Sequence, residues 1–334
     1  MRVSVIIPCY NEEDSIVELL DAIKNQSFPQ DDIEVIISDG MSIDGTRQKI
    51  DIFSEKNPEL QVQIIDNLTQ TIPAGLNQAI RAAKGEYIVR LDAHSNPEQD
   101  YIDRCINALE KGFGDNVGGV INILPANDSW MAQSIAIAAG HPLGVGDARY
   151  RIGSQAGEVD TVAFGAYRAS LINEVGYFDE SLLANEDYEF NVRIRKAGKK
   201  IWLDPDIKAN YIARKDLNSL AAQYWRYGFW KLRMLIRYPE TMRWRQIAGL
   251  FVLSWLGLGL LSIWFPIARW FLIAEAVIYC TALIVAGLGV MAAENPIQVV
   301  IGVPLAIATM HFSWGSGFLY SLLLYSFDKI FRKS

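Results

Sequence analysis

Two acidic residues stand just after short apolar runs in the first third of the chain. Asp39 follows a run at 33–37, and Asp92 follows one at 87–91, with His94 two residues further on. In an extended strand, Asp92 and His94 would point to the same side. A carboxylate at Asp92 can bind Mg²⁺ or Mn²⁺ that bridges a diphosphate, and imidazole suits Mn²⁺ better than Mg²⁺. His94 could equally cap the next helix or contact a substrate without touching a metal.

A polar and aromatic segment at 8–13, Pro-Cys-Tyr-Asn-Glu-Glu, follows the first apolar run. Pro8 stiffens the turn and removes a hydrogen-bond donor. Tyr10 offers a flat ring on which a base or a sugar can pack. The simpler interpretation is a strand–helix turn in which Asn11 or Asp14 caps the helix.

Glycines flank the polar segment at 38–46. Gly40 and Gly45 allow close approach of a ligand or a positive φ angle. Asp39 could accept a hydrogen bond from a uracil or ribose group. Asp44 is better explained as the cap of a helix that begins there.

Adjacent acids at 186 and 187 form a further candidate site. A helix starting near Glu186 would place Asp187 at its positive end, which keeps a carboxylate ionised. An ionised carboxylate beside an acceptor hydroxyl can act as a general base. In isolation, the simpler interpretation is that both acids only balance the helix dipole.

Aromatic and basic residues alternate at 223–231. Arg226 and Lys231 could contact a diphosphate, and the aromatic rings could line an acceptor groove. An interfacial amphipathic segment with an aromatic belt would have the same composition. Both interpretations can hold together.

The elements that must position these residues alternate along the first 125 residues. Repeated βαβ units predict a mostly parallel sheet covered by helices, with ligands bound at the carboxyl ends of the strands. The glycine-rich and small residues at 125–165 predict a mobile loop. Strands are predicted at 3–7, 33–37, 62–65, 87–91 and 117–123, and helices at 16–23, from about 44, at 74–83 with a cap at Lys84-Gly85, and at 102–109.

Charge and cysteine content exclude several classes of protein. Six basic and three acidic residues follow residue 240, so the first 240 residues carry a net charge of −10 against −7 for the whole chain. An acidic front part argues against nucleic-acid binding, which needs a basic face. Three cysteines without metal-ligand spacing favour a reducing compartment.

The last third of the chain contains three long apolar stretches, at 247–265, about 270–291 and about 297–326. A membrane span needs roughly 20 apolar residues, although buried soluble helices are the alternative. Residues 266–269 read as a tight connection, and the third stretch could be one tilted span or two half-length passes. The chain start shows no secretory signal, which predicts a cytoplasmic front domain. Basic residues that fit cytoplasmic boundaries are Arg243, Arg245, Lys329, Arg332 and Lys333.

Taken in order, the motifs at 8–13, 39–46, 85–93 and 176–187 resemble those of the family 2 inverting glycosyltransferases of the GT-A fold. The Asp-Ala-His form at 92–94 and the apolar tail are most similar to the succinoglycan-type exopolysaccharide glycosyltransferases. The resemblance implies a cytoplasmic GT-A domain at 1–235, a Rossmann-like α/β fold. An interfacial segment and two to four membrane crossings are implied at 236–334.

The resemblance also implies individual roles. Asp187 is implied as the catalytic base with Glu186 beside it, and Asp92 as a ligand of metal and diphosphate. Arg226 is implied to hold the diphosphate. The implied nucleotide pocket consists of Pro8, Tyr10, Glu12 and Asp39.

Three positions depart from the family pattern. His94 stands where the family usually has a second Asp, and Ser38 where it often has a further acid. Tyr227 replaces the Trp of a Gln-x-x-Arg-Trp motif. This replacement weakens the inference of processive synthesis.

The activity implied by the resemblance is inverting transfer of a sugar, with glucose favoured, from a UDP-sugar with Mg²⁺ or Mn²⁺. The implied acceptor is a lipid-linked or exopolysaccharide hydroxyl at the inner membrane. Two alternatives stay open: a polyprenyl-phosphate glycosyltransferase, and a non-catalytic nucleotide-sugar-binding membrane protein. A sugar nucleotidyltransferase is disfavoured, because 8–11 is not a Gly-rich, Arg-containing loop.

Overall fold

The computed structural model describes residues 1–153, 155–243, 247–291 and 295–331. Its strands are β1 Val3–Cys9, β2 Ile33–Asp39, β3 Gln61–Asp66, β4 Tyr87–Arg90, β5 Ser95–Pro97, β6 Asn116–Leu124, β7 Gly157–Glu158, β8 Ala163–Arg168 and β9 Ile201–Ile212. Its helices are α1 Ile16–Lys24, α2 Thr46–Lys56, α3 Ile72–Ala82, α4 Tyr101–Glu110, α5 Trp130–Gly140, α6 Pro142–Val145, α7 Arg149–Ile152, α8 Leu171–Val175, α9 Glu186–Lys196, α10 Leu217–Arg237, α11 Ile247–Leu261, α12 Pro266–Met291 and α13 Ile297–Phe331.

Backbone contacts divide the chain into two compact units. The first unit consists of Met1–Asn122 and Arg149–Tyr211, and the second of Ile123–Ala148 and Ile212–Ser334. The domain boundary at residue 235 stays a prediction. Each unit is described by itself below.

The first unit is built on a mixed sheet with the strand order β3-β2-β1-β4-β8-β6-β9-β5, and β7 pairs with β9. Strands β3, β2, β1 and β4 are parallel, as the βαβ pattern predicts. Strand β8 runs antiparallel to both β4 and β6, and β9 runs antiparallel to β5. The predicted α/β class is confirmed, and its parallel part lies within the first 90 residues.

Helices cover both faces of the central strands, which explains why these strands are apolar almost throughout. Residues of α1, α2 and α4 pack on one face against Val5 and Val35. Residues of α3, α8 and α9 pack on the other face against Ile6, Ile36 and Ile88. Strand β4 is therefore fixed by packing on both sides.

The N-cap residues of two helices differ from those that the sequence predicts. Helix α1 begins at Ile16 after Ser15, so neither Asn11 nor Asp14 caps it; the backbone of Asn11 is left-handed, with φ 54°. Helix α2 begins at Thr46. Its N-cap residue is Gly45 and not the predicted Asp44. Oδ1 of Asp44, one residue earlier, accepts a hydrogen bond from the Thr46 amide at 3.0 Å.

The predicted glycine cap of α3 is also wrong. The helix ends at Ala82, and the following Ala83 is extended. A Cβ atom on Gly85 would lie 2.6 Å from the amide nitrogen of Ser4. The glycine therefore allows the chain to approach β1 closely rather than to end a helix.

The expectation of a loop across 125–165 is wrong, because α5, α6, α7, β7 and the start of β8 lie there. The hydroxyl of Ser129 caps α5 by accepting a hydrogen bond from the Ala132 amide at 3.2 Å. Apolar side chains of α5, including Ile135, pack in the second unit with Val303 and Ile307 of α13. The helix has apolar residues on most sides, so the periodicity of a surface helix is missing.

Helix α12 and residues Ile297–Phe327 of α13 are long and apolar enough to cross a membrane, whereas Leu250–Leu261 of α11 is shorter. Residues 266–269 form the first turn of α12, a position that suits Pro266. The third apolar stretch is one helix with Pro304 inside it. Of the predicted boundary residues, Arg245, Arg332 and Lys333 lie outside the described residues, as do Glu294 and the side chain of Lys329.

Helices α10 and α13 of the second unit touch at two glycines. A Cβ atom on Gly228 would lie 1.9 Å from the carbonyl oxygen of Trp314. One on Gly317 would lie 2.1 Å from the carbonyl oxygen of Trp225. Because both neighbours are backbone atoms, this crossing requires residues without a side chain.

Candidate active site

The predicted strand-end acids meet at one edge of the sheet in the first unit. Asp39 is the last residue of β2 and pairs with Cys9 at the end of β1. On the other side of β1, the Leu91 amide donates to the Ile6 carbonyl at 3.1 Å, and Asp92 follows. The carboxyl ends of β2, β1 and β4 thus lie side by side, as expected for a ligand site in an open α/β sheet.

The first two motifs are hydrogen-bonded to each other. The Asn11 amide donates to the hydroxyl of Ser42 at 2.8 Å, and the Asn11 side-chain oxygen accepts from the Ile43 amide at 2.9 Å. The carboxylate of Glu13 accepts from the Gly45 amide at 2.8 Å. Asn11 therefore joins two loops instead of capping a helix, which its left-handed backbone allows.

Asp39 is fully buried and its carboxylate is held from three directions. It accepts hydrogen bonds from the Ser42 amide at 3.0 Å and from the Ser42 hydroxyl at 2.5 Å. Nε of Arg47 donates to Oδ2 of Asp39 at 2.5 Å, the oxygen that also accepts from the Ser42 amide, and Arg47 also pairs with Asp66. Sequence analysis missed Arg47, although its position on the helix after the Asp-Gly motif was a signal that could have identified it.

The remaining predicted nucleotide-pocket residues lie at the end of β1. Pro8 pairs with Ser38 of β2 and is half-buried. Tyr10 is exposed, and a Cβ atom on Gly40 would lie 3.3 Å from its ring. An exposed ring beside a glycine leaves a flat surface available for stacking.

Glu12 and His94 form a pair across the loops that follow β1 and β4. Nδ1 of His94 lies 3.1 Å from Oε1 of Glu12. Burial acts to raise the pKa of Glu12, but the hydrogen bond and charge of His94, with help from the Ser15 hydroxyl, lower the pKa overall. The His94 ring also lies near that of Tyr211, with 5.6 Å between centroids.

Asp92 and His94 are not on a strand, contrary to the prediction. Strand β4 ends at Arg90, and residues 92–95 form a turn in which the amide and hydroxyl of Ser95 donate to the Asp92 carbonyl at 2.9 and 2.7 Å. A turn changes the direction of successive side chains, so the alternation of a strand does not apply here.

Arg90 connects Asp92 to the start of helix α9. Nη2 of Arg90 lies 3.1 Å from Oδ1 of Asp92 and 3.1 Å from Oε1 of Glu186. Burial opposes the charge on Arg90, but Asp92, Glu186 and Asp187 raise its pKa above the ordinary value. Sequence analysis missed Arg90, although a charged residue inside a buried strand is itself a signal.

Helix α9 begins at Glu186, as predicted. Glu186 is buried; burial raises the pKa of its carboxyl, Arg90 opposes that rise, and Asp187 adds to it. Asp187 is half-buried, and its Oδ1 accepts from the Tyr188 amide at 2.7 Å. Its place in the first turn favours a negative charge.

Arg226 lies in the second unit, where it is exposed on α10. The neighbouring Gln223 amide donates to the hydroxyl of Tyr227 at 3.0 Å, and the rings of Tyr224 and Tyr227 are 5.6 Å apart. Lys231 of the same segment is buried.

The possible metal-ligating side chains of the first unit are few, so a metal there would also need ligands from a bound phosphate. Within the described ranges, no group of three or more His, Cys, Asp or Glu side chains is arranged to hold a metal. Mg²⁺ and Mn²⁺ at phosphate sites use one or two protein ligands and take the rest from phosphate and water. Asp92 and His94 are the two residues predicted for this role. A carboxylate such as Glu12 on one nitrogen of a ligand histidine is a common orienting contact.

Acids at the ends of parallel strands, facing further acids at the start of a helix, are the arrangement of a GT-A glycosyltransferase. The family model described as Glycosyl transferase family 2 matches residues 4–176. The chain belongs to this family and is a glycosyltransferase.

The relatives of this chain include proteins named for succinoglycan biosynthesis and for sugar transfer. The chain is 29% identical over 325 residues to the succinoglycan biosynthesis protein ExoA of Rhizobium meliloti (strain 1021), with 96% of this chain and 94% of that protein covered. It is 29% identical over 232 residues to the dolichyl N-acetyl-alpha-D-glucosaminyl phosphate 3-beta-D-2,3-diacetamido-2,3-dideoxy-beta-D-glucuronosyltransferase of Methanococcus voltae. In that comparison, 68% of this chain and 71% of that protein are covered.

Solved structures confirm the fold. The mannosyltransferase PcManGT from Pyrobaculum calidifontis, in complex with GDP-Man and Mn²⁺, matches with a TM-score of 0.61 and 20% identity over 96% of this chain and 87% of that one. S. aureus TarS 1-349 in complex with UDP-GlcNAc matches with a TM-score of 0.52 and 21% identity over 70% of this chain and 67% of that one. The predicted GT-A architecture is therefore confirmed.

Proposed function

We propose that this chain is an inverting glycosyltransferase that uses a UDP-sugar as donor, with UDP-glucose as the favoured one. The acceptor is a hydroxyl of a lipid-linked or exopolysaccharide glycan. The observation that carries the proposal is the contact of Arg90 with both Asp92 and Glu186. It joins a carboxylate at the strand ends, suited to a divalent cation on the donor diphosphate, to the first turn of α9, suited to an acceptor hydroxyl.

The donor end is assigned to residues that follow β1, β2 and β4. Asp39, held by Ser42 and Arg47, would accept a hydrogen bond from the nucleotide, and Tyr10 would stack on it. Pro8 and Glu12 would complete the pocket. Arg226 is assigned to the diphosphate from its place in the Gln-x-x-Arg motif alone.

A bound Mg²⁺ or Mn²⁺, held by Asp92 and His94, would neutralise the charge that develops on the leaving diphosphate. The Glu12 contact fixes the orientation of the His94 ring for that role. Arg90 holds Asp92 in place from the protein side.

The acceptor end is assigned to Asp187, with Glu186 beside it. Asp187 removes the proton of the acceptor hydroxyl, and the oxygen attacks the anomeric carbon while the bond from that carbon to UDP breaks. The electron pair of that bond leaves with UDP. A single displacement without a covalent intermediate inverts the configuration at the anomeric carbon.

The acceptor class and the location draw support from the relatives and the tail. One relative is named for succinoglycan biosynthesis, and the other for transfer to a dolichyl-linked sugar. Two C-terminal helices have the length and composition of membrane spans. Arg243, just before α11, fits a cytoplasmic boundary, which would put the catalytic domain at the inner face of the cell membrane.

The test is a screen of UDP-sugars for Mn²⁺-dependent UDP release by the full chain in detergent, with a lipid extract as acceptor. UDP-glucose is expected to give the fastest release, and Asp92→Ala is expected to abolish it. The exposed substitution Asp51→Asn is the matched control. Absence of UDP release with every donor, despite tight donor binding, would instead support a non-catalytic binding protein.

Analysis of the lipid products separates the two kinds of acceptor. Transfer to a lipid-linked glycan yields an extended oligosaccharide on the lipid. A mild-acid-labile monosaccharide lipid would instead identify a polyprenyl-phosphate glycosyltransferase and overturn the proposed acceptor.

A further inference from the structure

Arg90 is a buried cation whose charge the reaction outlined above does not use. Its side chain is 9% exposed. Its Nη2 atom contacts Asp92 and Glu186, and its Nε atom lies 3.3 Å from Oδ1 of Asp92. Its Nη1 atom is buried and makes no hydrogen bond within the part of the chain that the structure describes.

Apolar side chains lie next to Arg90 on the same face of the sheet. Ile88, two residues earlier on β4, lies in the apolar cluster that includes Phe190 and Ile194 of α9. Alternation along a strand puts residue 90 on the same face as residue 88. A guanidinium here is desolvated and cannot lose its proton, so it depends on the carboxylates that face it.

The start of α9 is in contact with Arg90. The N-cap residue Asn185 has a left-handed backbone. Nη2 of Arg90 contacts Glu186, the first residue of the helix, and so connects its first turn to the end of β4. Asp187 is the next residue, so the orientation of this turn sets where its carboxylate lies.

We infer that Arg90 is a positioning residue that fixes the separation of the donor and acceptor ends of the active site. Nε and Nη2 of one rigid, planar guanidinium contact Oδ1 of Asp92, and Nη2 also contacts Oε1 of Glu186. A planar group with several fixed donors suits this double contact better than a point charge does. Arg90 acts through these two residues and does not touch the reacting atoms. The inference rests on the proposed function, because that function defines the two ends.

A purely structural role for Arg90 would consist of neutralising the buried acids. The two roles differ when the arginine and one acid are removed together. In Arg90→Met/Glu186→Gln, the buried charges at both positions disappear, while the size of the side chains is nearly kept. Charge balance is restored in this double variant, but the link between the two ends is not.

The experiment compares Arg90→Lys, Arg90→Met, Glu186→Gln and the double variant with the wild-type full chain in detergent. Three quantities are measured: the melting temperature, the donor affinity by calorimetry with Mn²⁺, and kcat for UDP release. Calorimetry with the donor requires no turnover. Arg90→Lys and the double variant keep the test informative if Arg90→Met alone does not fold.

We expect the double variant to melt near the wild-type temperature but to bind the donor more weakly, because Asp92 has lost its contact with Arg90. Its kcat is expected to fall about 100-fold below that of Glu186→Gln, as for a misplacement of about 1 Å. Arg90→Lys is expected to keep the fold and to lose most of kcat as well. Recovery of wild-type kcat in the double variant would overturn the inference, and so would full activity of Arg90→Lys.

These outcomes are separate from failure of the proposed function. If wild-type protein releases UDP and Asp187→Asn does not, the function stands and only the Arg90 variants decide the inference. If the wild type releases no UDP from any donor, the proposed function fails first.

Discussion

In the candidate active site, Nη2 of Arg90 lies 3.1 Å from Oε1 of Glu186, although the two residues are 96 positions apart in the chain. Arg90 is the last residue of β4, and Glu186 is the first residue of α9. The ion pair therefore connects the carboxyl end of a parallel strand with the amino end of a helix, the two kinds of position that favour anionic ligands. Residues on either side of it, Asp92 and Asp187, carry the proposed chemistry.

Glu12 is expected to set the metal affinity through His94. Replacing Glu12 by Gln removes the charged partner from Nδ1 of His94, so the affinity for Mn²⁺ should fall by about 10–100-fold, as for other residues that orient metal ligands. Electron paramagnetic resonance of bound Mn²⁺ in the presence of UDP measures this directly. The exposed substitution Asp51→Asn serves as control, and unchanged Mn²⁺ binding in Glu12→Gln would count against the proposed role of His94.

The Glu12–His94 pair is also expected to show in the pH dependence of stability. The pKa of Glu12 is lowered in the folded protein, so its contribution to stability is present above the ordinary Glu pKa of about 4.3 and is lost as the pH falls through the lower folded value. The difference in melting temperature between the wild type and Glu12→Gln should therefore be largest at neutral pH and shrink toward acid pH. A difference that grows on acidification would contradict this sign.

Arg47 is expected to act on donor binding rather than on turnover. Arg47→Met removes the cation that holds the buried carboxylate of Asp39, and loss of one charged hydrogen bond typically weakens binding by about 10–100-fold. The KM for the UDP-sugar should rise by this order, whereas kcat should change little. Lys56→Met, an exposed change on the same helix, is the matched control. A large fall in kcat with unchanged KM would show that Asp39 does not serve the nucleotide.

The contact of α10 with α13 is expected to be intolerant of a methyl group. Gly228→Ala would force the added Cβ against the Trp314 carbonyl. The free energy of unfolding in detergent should therefore fall by about 2 kcal/mol, as for other overpacked sites. Gly257→Ala on α11 is the control, because nothing lies within 4 Å of a Cβ there. Equal melting temperatures of the two variants would argue against this crossing.

Features that depend on local sequence could be predicted. The apolar runs of β1, β2 and β4 identify buried strands, and Asp39 and Asp92 lie at the sheet edge because they follow those runs. The start of α9 at Glu186 could also be predicted from the adjacent acids. Such features can be recognised from consecutive residues, because a strand that is buried on both faces is a continuous apolar run in the sequence.

Features that depend on distant partners could not be predicted. Nothing near Arg90 in the sequence indicates Glu186, and nothing near α5 indicates that it packs against α13. The antiparallel strands β8 and β9 also escaped prediction, since their direction follows from tertiary pairing. The turn at 92–95 changes the relation of Asp92 to His94 for the same reason: the strand ends before them.

The central claim is that Asp187 acts as the base in sugar transfer. The most direct measurement is kcat for UDP release by Asp187→Asn under saturating donor and acceptor, beside its donor affinity. We expect kcat to fall by about 10²–10⁴-fold, the usual contribution of a general base, with donor affinity near that of the wild type. A variant that turns over at the wild-type rate would contradict the account.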